Sequence, residues 1–570
     1  PGIIDPYPQP VFSQDQSLCL VMYGEIYDYQ DEPTGIIKKP LPCEPHDHPS
    51  LILRLIERKG IQIVKDLNGS FVLALWDLKR KVLTIANDRF GLRPLYYFRR
   101  DDLFIFASEM KSVLAFKEVD REIDVEAMAQ FFSFNFIMGD RTWLEEIKVL
   151  SPASILTFGN GSLQKRSYWT LDLAEEDKKF NKQDDLERAH FLIKQAVHRQ
   201  IKDGIPKILS LSGGLDSRTI LGAAAQLGYR IPAFTFGIPG CADGELAHRI
   251  AEAFDAENRF FRLSPDYLER WALHGVWLTE GMNNCVNFHG VEFVPEIQKR
   301  ASVVLNGFMG GELFGFVSLS NAQLLFRAGS GNWIRSLFQR INGPFSEAEL
   351  GRLFRGRYYS QIRGVPFETF AKSMETSSFH SPFDRFYDFR LRMQSVKSFL
   401  YGLLLDNDLL EYRVPFCDYD LVDFVSALPP RQKAMALFHR RLIKEKFRPL
   451  GSVPYQRTGL PVSSGLSRVL FRKTTDYLKC RVFPSRLDQR RYTDYDNWMR
   501  NQLRGFVISV LLSERALNRG YFNPDYVKRL VAEHLSAKRN LSLQLGALLT
   551  FELWNQLFVD EIKNPLTGCV

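Results

Sequence analysis

Between Leu18 and about Trp169 the chain alternates short apolar runs with clusters of Gly, Asp, Pro and Arg. The runs LCLVMYGEIYDY, FVLALWD, VLTIAND, PLYYF and FIFASE are dominated by aromatic and β-branched residues, which predicts strands of an antiparallel, β-rich unit. One helix, from Pro49 to about Lys59, is expected to interrupt them, because Leu51, Leu53, Leu55 and Ile56 are apolar there. Asp172 to Glu187 is charged and poor in large apolar residues, as a connector or exposed helix start would be. Beyond it the pattern changes. Helix (Asp185 to Lys202), strand (Lys207 to Leu211), helix (Ser217 to Leu227), strand (Ile231 to Phe236), helix (Gly244 to Phe254) and strand (Asn258 to Phe261) follow one another, and Ser302 to Leu305 adds a further strand. That alternation predicts a parallel sheet with crossover helices. From about Asn321 the expectation is mainly helical, with amphipathic stretches at Leu503 to Leu517 and Leu541 to Phe558.

A length of 570 residues predicts more than one domain, since a single core rarely grows past about 250 to 300 residues. The change of period places the units at 1–172 and 183–570. The net charge of +8 is scattered over this length, and the densest basic cluster, Arg486 to Arg491, reads as solvated surface, so no nucleic-acid partner is expected. The seven cysteines are widely spaced with no CxxC pair, which predicts reduced thiols and a cytoplasmic protein. No apolar run approaches the roughly 18 residues needed to span a bilayer, so no membrane partner is expected.

Candidate chemistry centres on Ile208 to Ser217, ILSLSGGLDS. A strand that enters a glycine-bearing turn and then a helix N-terminus presents unpaired N–H groups at the positive end of a helix dipole, which is an anion site. Ser212 and Ser217 add hydroxyl donors, Gly213 and Gly214 allow close backbone approach, and Asp216 can hold a magnesium ion. No Lys follows the second glycine, so the spacing is not that of a Walker loop. SGGLDS instead resembles the pyrophosphate-binding loop of ATP pyrophosphatases.

The order of motifs resembles the glutamine-dependent asparagine synthetase superfamily, which includes β-lactam synthetases and lasso-peptide cyclases. Tyr23 to Tyr27 (YGEIY), Leu67 to Phe71 followed by Ala74 to Asp77, Asp88 to Tyr97 (DRFGLRPLYY) and Ala107 to Lys111 (ASEMK) resemble its N-terminal motifs. SGGLDS, the turn Asn306 to Glu312 (NGFMGGE) and Glu411 to Asp418 (EYRVPFCD) resemble those of its C-terminal half. The resemblance implies a mixed α/β and α+β protein. Its first domain would be an Ntn-hydrolase-like, class II glutamine amidotransferase-like β-sandwich, and its second an ATP-pyrophosphatase-like parallel sheet with a helical lobe. It further implies ATP and Mg2+ as cofactors, with Leu209, Ser210, Ser212, Gly213, Gly214, Leu215, Asp216, Ser217, Phe236 and Gly307 at the nucleotide, and Asp216 with Glu312 at the metal. Glu280 and Arg457 would be catalytic, and Gly24, Glu25 and Asp47 would stand at glutamine-binding positions. The implied partners are a small-molecule carboxylate, either aspartate or another acid, and ammonia or an amine; a homodimer is left open.

The sequence departs from the family at several of these positions. It begins Pro1-Gly2-Ile3, with 22 residues before YGEIY, so the family's N-terminal Cys nucleophile and glutamine-holding loop are not expected in the sequence as given. Tyr23 stands where the family has an oxyanion-hole Asn, and loss of one such donor is worth roughly 3 to 4 kcal/mol in the transition state. Gly311 replaces a magnesium-binding Asp. Arg457 replaces a catalytic Lys, so it can clamp pyrophosphate but cannot titrate as a proton donor. The expectation is an AMP-forming amide ligase without glutaminase activity; a lasso-peptide or β-lactam-type cyclase and a non-catalytic ATP-binding homologue or partner subunit are the alternatives.

Overall fold

The computed structural model describes residues 7–29, 47–173, 180–315, 317–327, 332–341, 343–406, 409–465, 467–469, 471–472, 475 and 491–560. Pro1 to Ile3, Cys43, Cys480, Cys569, residues 174–179 of the charged connector and all of the basic cluster except Arg491 lie outside them. Strands β1 (Val11–Phe12), β2 (Leu18–Tyr29), β3 (Leu67–Asp77), β4 (Val82–Asn87), β5 (Tyr96–Arg100), β6 (Leu103–Ala107), β7 (Lys148–Val149), β8 (Ser154–Gly159) and β9 (Ser162–Ser167) form two antiparallel sheets. The larger has the order β1-β2-β3-β4-β8-β9 and the smaller β6-β5-β7. Period-two alternation divides the larger sheet. Val72, Ala74 and Ile85 face Leu95, Tyr97 and Leu150 of the opposing layer, whereas Leu20, Leu73 and Leu75 pack under helix α1 (His48–Lys59) through Ile52, Leu55 and Ile56.

The expectation of a single helix in this region is corrected by α2 (Met110–Val113) and α3 (Val125–Phe134). Every residue of α3 from Ala127 to Phe134 is buried; Glu126, Gln130 and Ser133 recur at helical spacing, but Gln130 and Ser133 are buried with the apolar residues.

The second sheet comprises β10 (Lys207–Ser210), β11 (Ala233–Gly237), β12 (Asn258–Arg262), β13 (Val303–Leu305) and β14 (Glu411–Arg413), all parallel, in the order β12-β11-β10-β13-β14. Helices α4 (Lys182–Ile201), α5 (Asp216–Gln226), α6 (Ala242–Glu252) and α7 (Tyr267–Thr279) alternate with its first strands as the pattern predicts. Strand β14 falls within the stretch expected to be helical. Its three residues, Glu-Tyr-Arg, carry no apolar run, because their charges are buried against partners in the first unit. The expected helix over 503–517 is broken into Arg504–Leu511 and Glu514–Asn518, where the Ser513 side chain caps the second piece by accepting from Ala516 N–H. Among the described residues no helix is long and apolar enough to cross a membrane.

Candidate active site

Strand β10 is the middle strand of the parallel sheet, and the loop Leu211 to Leu215 leaves its carboxyl end to open α5 at Asp216. Ligands of such sheets bind at this edge. Arg218, fully buried one turn into α5, organises the loop. Its guanidinium donates to Gly214 O (2.6 Å), Gly213 O (2.8 Å), Val453 O (3.2 Å) and Pro454 O (2.8 Å). Burial lowers its pKa to about 10, which still leaves it charged at neutral pH. By gathering the carbonyl ends of these peptides it turns them away from an incoming anion. Ser212 N–H donates to Ser217 Oγ (3.1 Å), Gly214 N–H to Ser212 Oγ (3.2 Å) and Gly213 N–H to Asp243 Oδ1 (2.9 Å). Ser212 and Ser217 thus shape the turn as well as offering hydroxyls.

The hairpin of β15 (Pro454–Tyr455) and β16 (Leu460–Pro461) is pinned on this loop by Arg218 and by Gln456, whose N–H donates to Gly213 O (3.3 Å). Arg457, exposed in the turn, acts electrostatically on Asp216. The turn after β13 closes the other side. Cβ atoms placed on Gly307 and Gly310 would lie 2.9 and 2.7 Å from Asp216 carbons, and one on Gly311 would lie 3.6 Å from Oδ2. Only glycines let that backbone come so near the carboxylate.

Asp216 and Glu312 are the two residues expected at a metal, and Glu312 acts electrostatically on Asp216. Asp216 Oδ1 is buried without a hydrogen-bond partner among the described residues, although the side chain as a whole keeps 29% of its surface open. Burial, and then the negative charge of Glu312, push its pKa up to about 7. Glu312 accepts from Arg390 Nη2 at 2.8 Å. No set of three His, Cys, Asp or Glu side chains poised for a metal occurs among the described residues. Asp216 and Glu312 nevertheless fit Mg2+, which is held by one or two carboxylates together with substrate phosphates and water.

The other predicted residues lie elsewhere. Leu209 pairs in register with Leu305 and Ala233 inside the sheet, and Ser210 leads into the loop. Phe236 packs in an aromatic cluster with His289 (5.1 Å between ring centroids) and Phe293 (6.1 Å). Glu280, in a left-handed conformation (φ +53°) at the end of α7, is buried. It accepts from Lys111 N–H at 2.7 Å, caps α2, and adjoins the Tyr96–Tyr401 hydroxyl pair. Burial raises its pKa to about 7, opposed by the Lys111 charge.

Of the three glutamine-pocket positions, Gly24 and Glu25 are consecutive on β2 and Asp47 precedes α1. Asp47 caps α1, accepting from Ser50 N–H at 3.2 Å. Gly24 is left-handed (φ +114°), and a Cβ on it would meet Ser70 O at 2.0 Å. Glu25 is buried and grips Arg413 of β14 with both oxygens, at 2.9 Å to Nε and 2.6 Å to Nη2. Arg413 also reaches Asp203 (2.6 Å) and Gln200 O (2.6 Å). Arg93, whose guanidinium lies 4.8 Å from the Tyr23 ring centroid, pairs with Glu411 of the same strand. Arg218, Asp243, Arg390, His439 and Gln456 were not anticipated. Only Arg218 carries a signal, an arginine directly after the loop in an otherwise apolar helix.

Residues 2–169 match the glutamine amidotransferase domain family and residues 189–556 the asparagine synthase family. Fold, loop and matches together define an ATP-dependent amidotransferase or ligase. The chain belongs to the asparagine synthase family. It is 22% identical to asparagine synthetase [glutamine-hydrolyzing] 1 of Bacillus subtilis (strain 168), over 98% of this chain and 88% of the relative. Asparagine synthetase [glutamine-hydrolyzing] 3 of the same organism is 28% identical over 73% of this chain and 70% of its own. Amidase chyE of Penicillium rubens is 22% identical over 77% and 75%.

Proposed function

We propose that this chain is an AMP-forming ligase that activates a small-molecule carboxylate, aspartate or a related acid, for attack by ammonia or an amine. A carboxylate oxygen attacks the α-phosphorus of ATP and pyrophosphate leaves; the amine nitrogen then attacks the acyl carbon, AMP leaves, and one proton is released. The observation that carries this reading is the loop Ser212 to Ser217, with its carbonyls gathered by Arg218 and the Asp216 carboxylate beside it, closely approached by Gly307 and Gly310. Serine hydroxyls and first-turn N–H groups of α5 bind the pyrophosphate end, and Arg457 adds a fixed positive charge. Asp216 and Glu312 would hold Mg2+, which when bound neutralises phosphate charge.

The first unit is read as having lost glutamine hydrolysis, because Arg413 occupies both carboxylate oxygens of Glu25. Pyrophosphate and AMP release from ATP and Mg2+ is the test, with aspartate plus either ammonium or glutamine, and Asp216→Ala alongside. The expected result is release with ammonium, none above background with glutamine, and at least a hundredfold loss in Asp216→Ala. No release with either nitrogen donor would overturn asparagine synthesis. A second reading, a non-catalytic ATP-binding homologue or partner subunit, is favoured by Gly311 and by the engagement of Glu312 with Arg390; it predicts nucleotide binding without turnover on any acid.

A further inference from the structure

His439 crosses the first turn of α5, touching both Asp216 and Thr219. It is buried, 1% exposed, with Nε2 2.9 Å from Thr219 Oγ1 and Nδ1 3.6 Å from Asp216 Oδ1. Nδ1 and Oδ1 are both buried and have no hydrogen-bond partner among the described residues. The ring is clamped by Phe314, stacked at 4.2 Å between centroids with an interplanar angle of 22°. Phe314 directly follows the short helix Gly310–Leu313, which carries Glu312, so the clamp and the metal pair share one element.

The backbone leading to His439 is itself strained. Met435 and Ala436, neither a glycine, are left-handed in succession (φ +56° and +55°) just before the helix Leu437–Lys446. Consecutive left-handed residues with side chains persist only where surrounding contacts over-determine them, and such sites cluster around function. Here the two residues aim the first turn of that helix at α5.

The Thr219 hydroxyl has one proton and two acceptors in reach, Leu215 O at 2.8 Å and His439 Nε2. Given to Nε2, it leaves the ring N–H on Nδ1, facing Asp216 Oδ1, and two otherwise unsatisfied buried atoms meet. Given to Leu215 O, it sets two lone pairs face to face. A closure of about half an ångström brings the first arrangement to ordinary N–H···O distance.

We propose that His439 is a positioning residue for Asp216: its Nδ1–H holds Oδ1, so that Oδ2, on the side of Gly311, is presented to the cation that accompanies the nucleotide. The proposal rests on the ligase reading above. It is tested on the full chain by Mn2+ binding in the presence of ATP, followed by electron paramagnetic resonance, in wild type, His439→Leu, His439→Asn and His439→Gln. Asn places an amide N–H near the position of Nδ1, whereas Gln places it near Nε2. His439→Leu is expected to weaken Mn2+ binding about 10- to 100-fold, as loss of an outer-shell partner does, and Asn, but not Gln, to restore it to within a few-fold. Wild-type affinity in His439→Leu, or equal binding by the Asn and Gln variants, would overturn the positioning role. Should His439→Leu fail to fold, the Asn–Gln comparison still decides. Absence of Mn2+ binding by wild-type protein with ATP would instead overturn the ligase reading, and the positioning role with it.

Discussion

Two carboxyl groups with raised pKa values do different work. Asp216 lies among the phosphate-loop residues, whereas Glu280 seals a contact between α7 and α2, where two backbone N–H groups and Lys111 oppose the cost of its burial. Glu280 therefore matters to stability. Its folded value, about 7, lies above the reference 4.5, so the native state holds the proton more tightly and its contribution is full below pH 4.5 and lost as pH rises to 7. Wild type is expected to lose on the order of 3 kcal/mol relative to Glu280→Gln across that window. Thermal unfolding of both proteins at several pH values measures it, and a constant difference would show that the carboxyl does not titrate there.

At the scale of elements, the site is a junction of three: the loop into α5, the glycine turn after β13 and the hairpin β15–β16. The turn fits against Asp216 because Gly307 and Gly310 carry no side chain. Gly310→Ala would put a Cβ 2.7 Å from Asp216 Cγ, so a cost of about 1 to 3 kcal/mol is expected, as for overpacking, together with weaker nucleotide–metal binding. Denaturant unfolding and ATP titration check this, and an unchanged variant would mean the turn yields freely. The loop itself was legible in the sequence, since strand, glycines, acidic residue and helix are all local. The hairpin was legible only in part: the family resemblance put Arg457 at the site, but Gln456 reaches the loop from more than 200 positions away, and nothing in the hairpin's own sequence encodes that contact.

For the whole molecule, β14 is the hinge of the architecture. It completes the parallel sheet beside β13 and sends Glu411 and Arg413 to Arg93 and Glu25 of the first unit. Nearby, Asn68 donates to Asp418 (2.8 Å), and Arg199 bridges Asp418 and Asp28. Breaking a buried pair leaves an uncompensated charge, so Arg413→Met is expected to cost about 3 to 5 kcal/mol, with part recovered in Glu25→Gln/Arg413→Met. Unfolding of the two single variants and the double variant gives the coupling, and strict additivity would argue against a shared ion pair.

Local chemistry determined what the sequence alone could show: the alternation of strand and helix, the anion loop at Ser212 to Ser217, and the motif order that marks the family. These signals sit within a few residues of one another, where backbone preference and periodicity act. Only the tertiary structure decided which distant side chains meet. It set Glu280 against the N–H of Lys111 in α2, engaged Glu25 with Arg413, and set His439 against Asp216. Burial is the physical reason, because a charged or polar group removed from water must find its partner wherever the fold brings one, irrespective of separation along the chain.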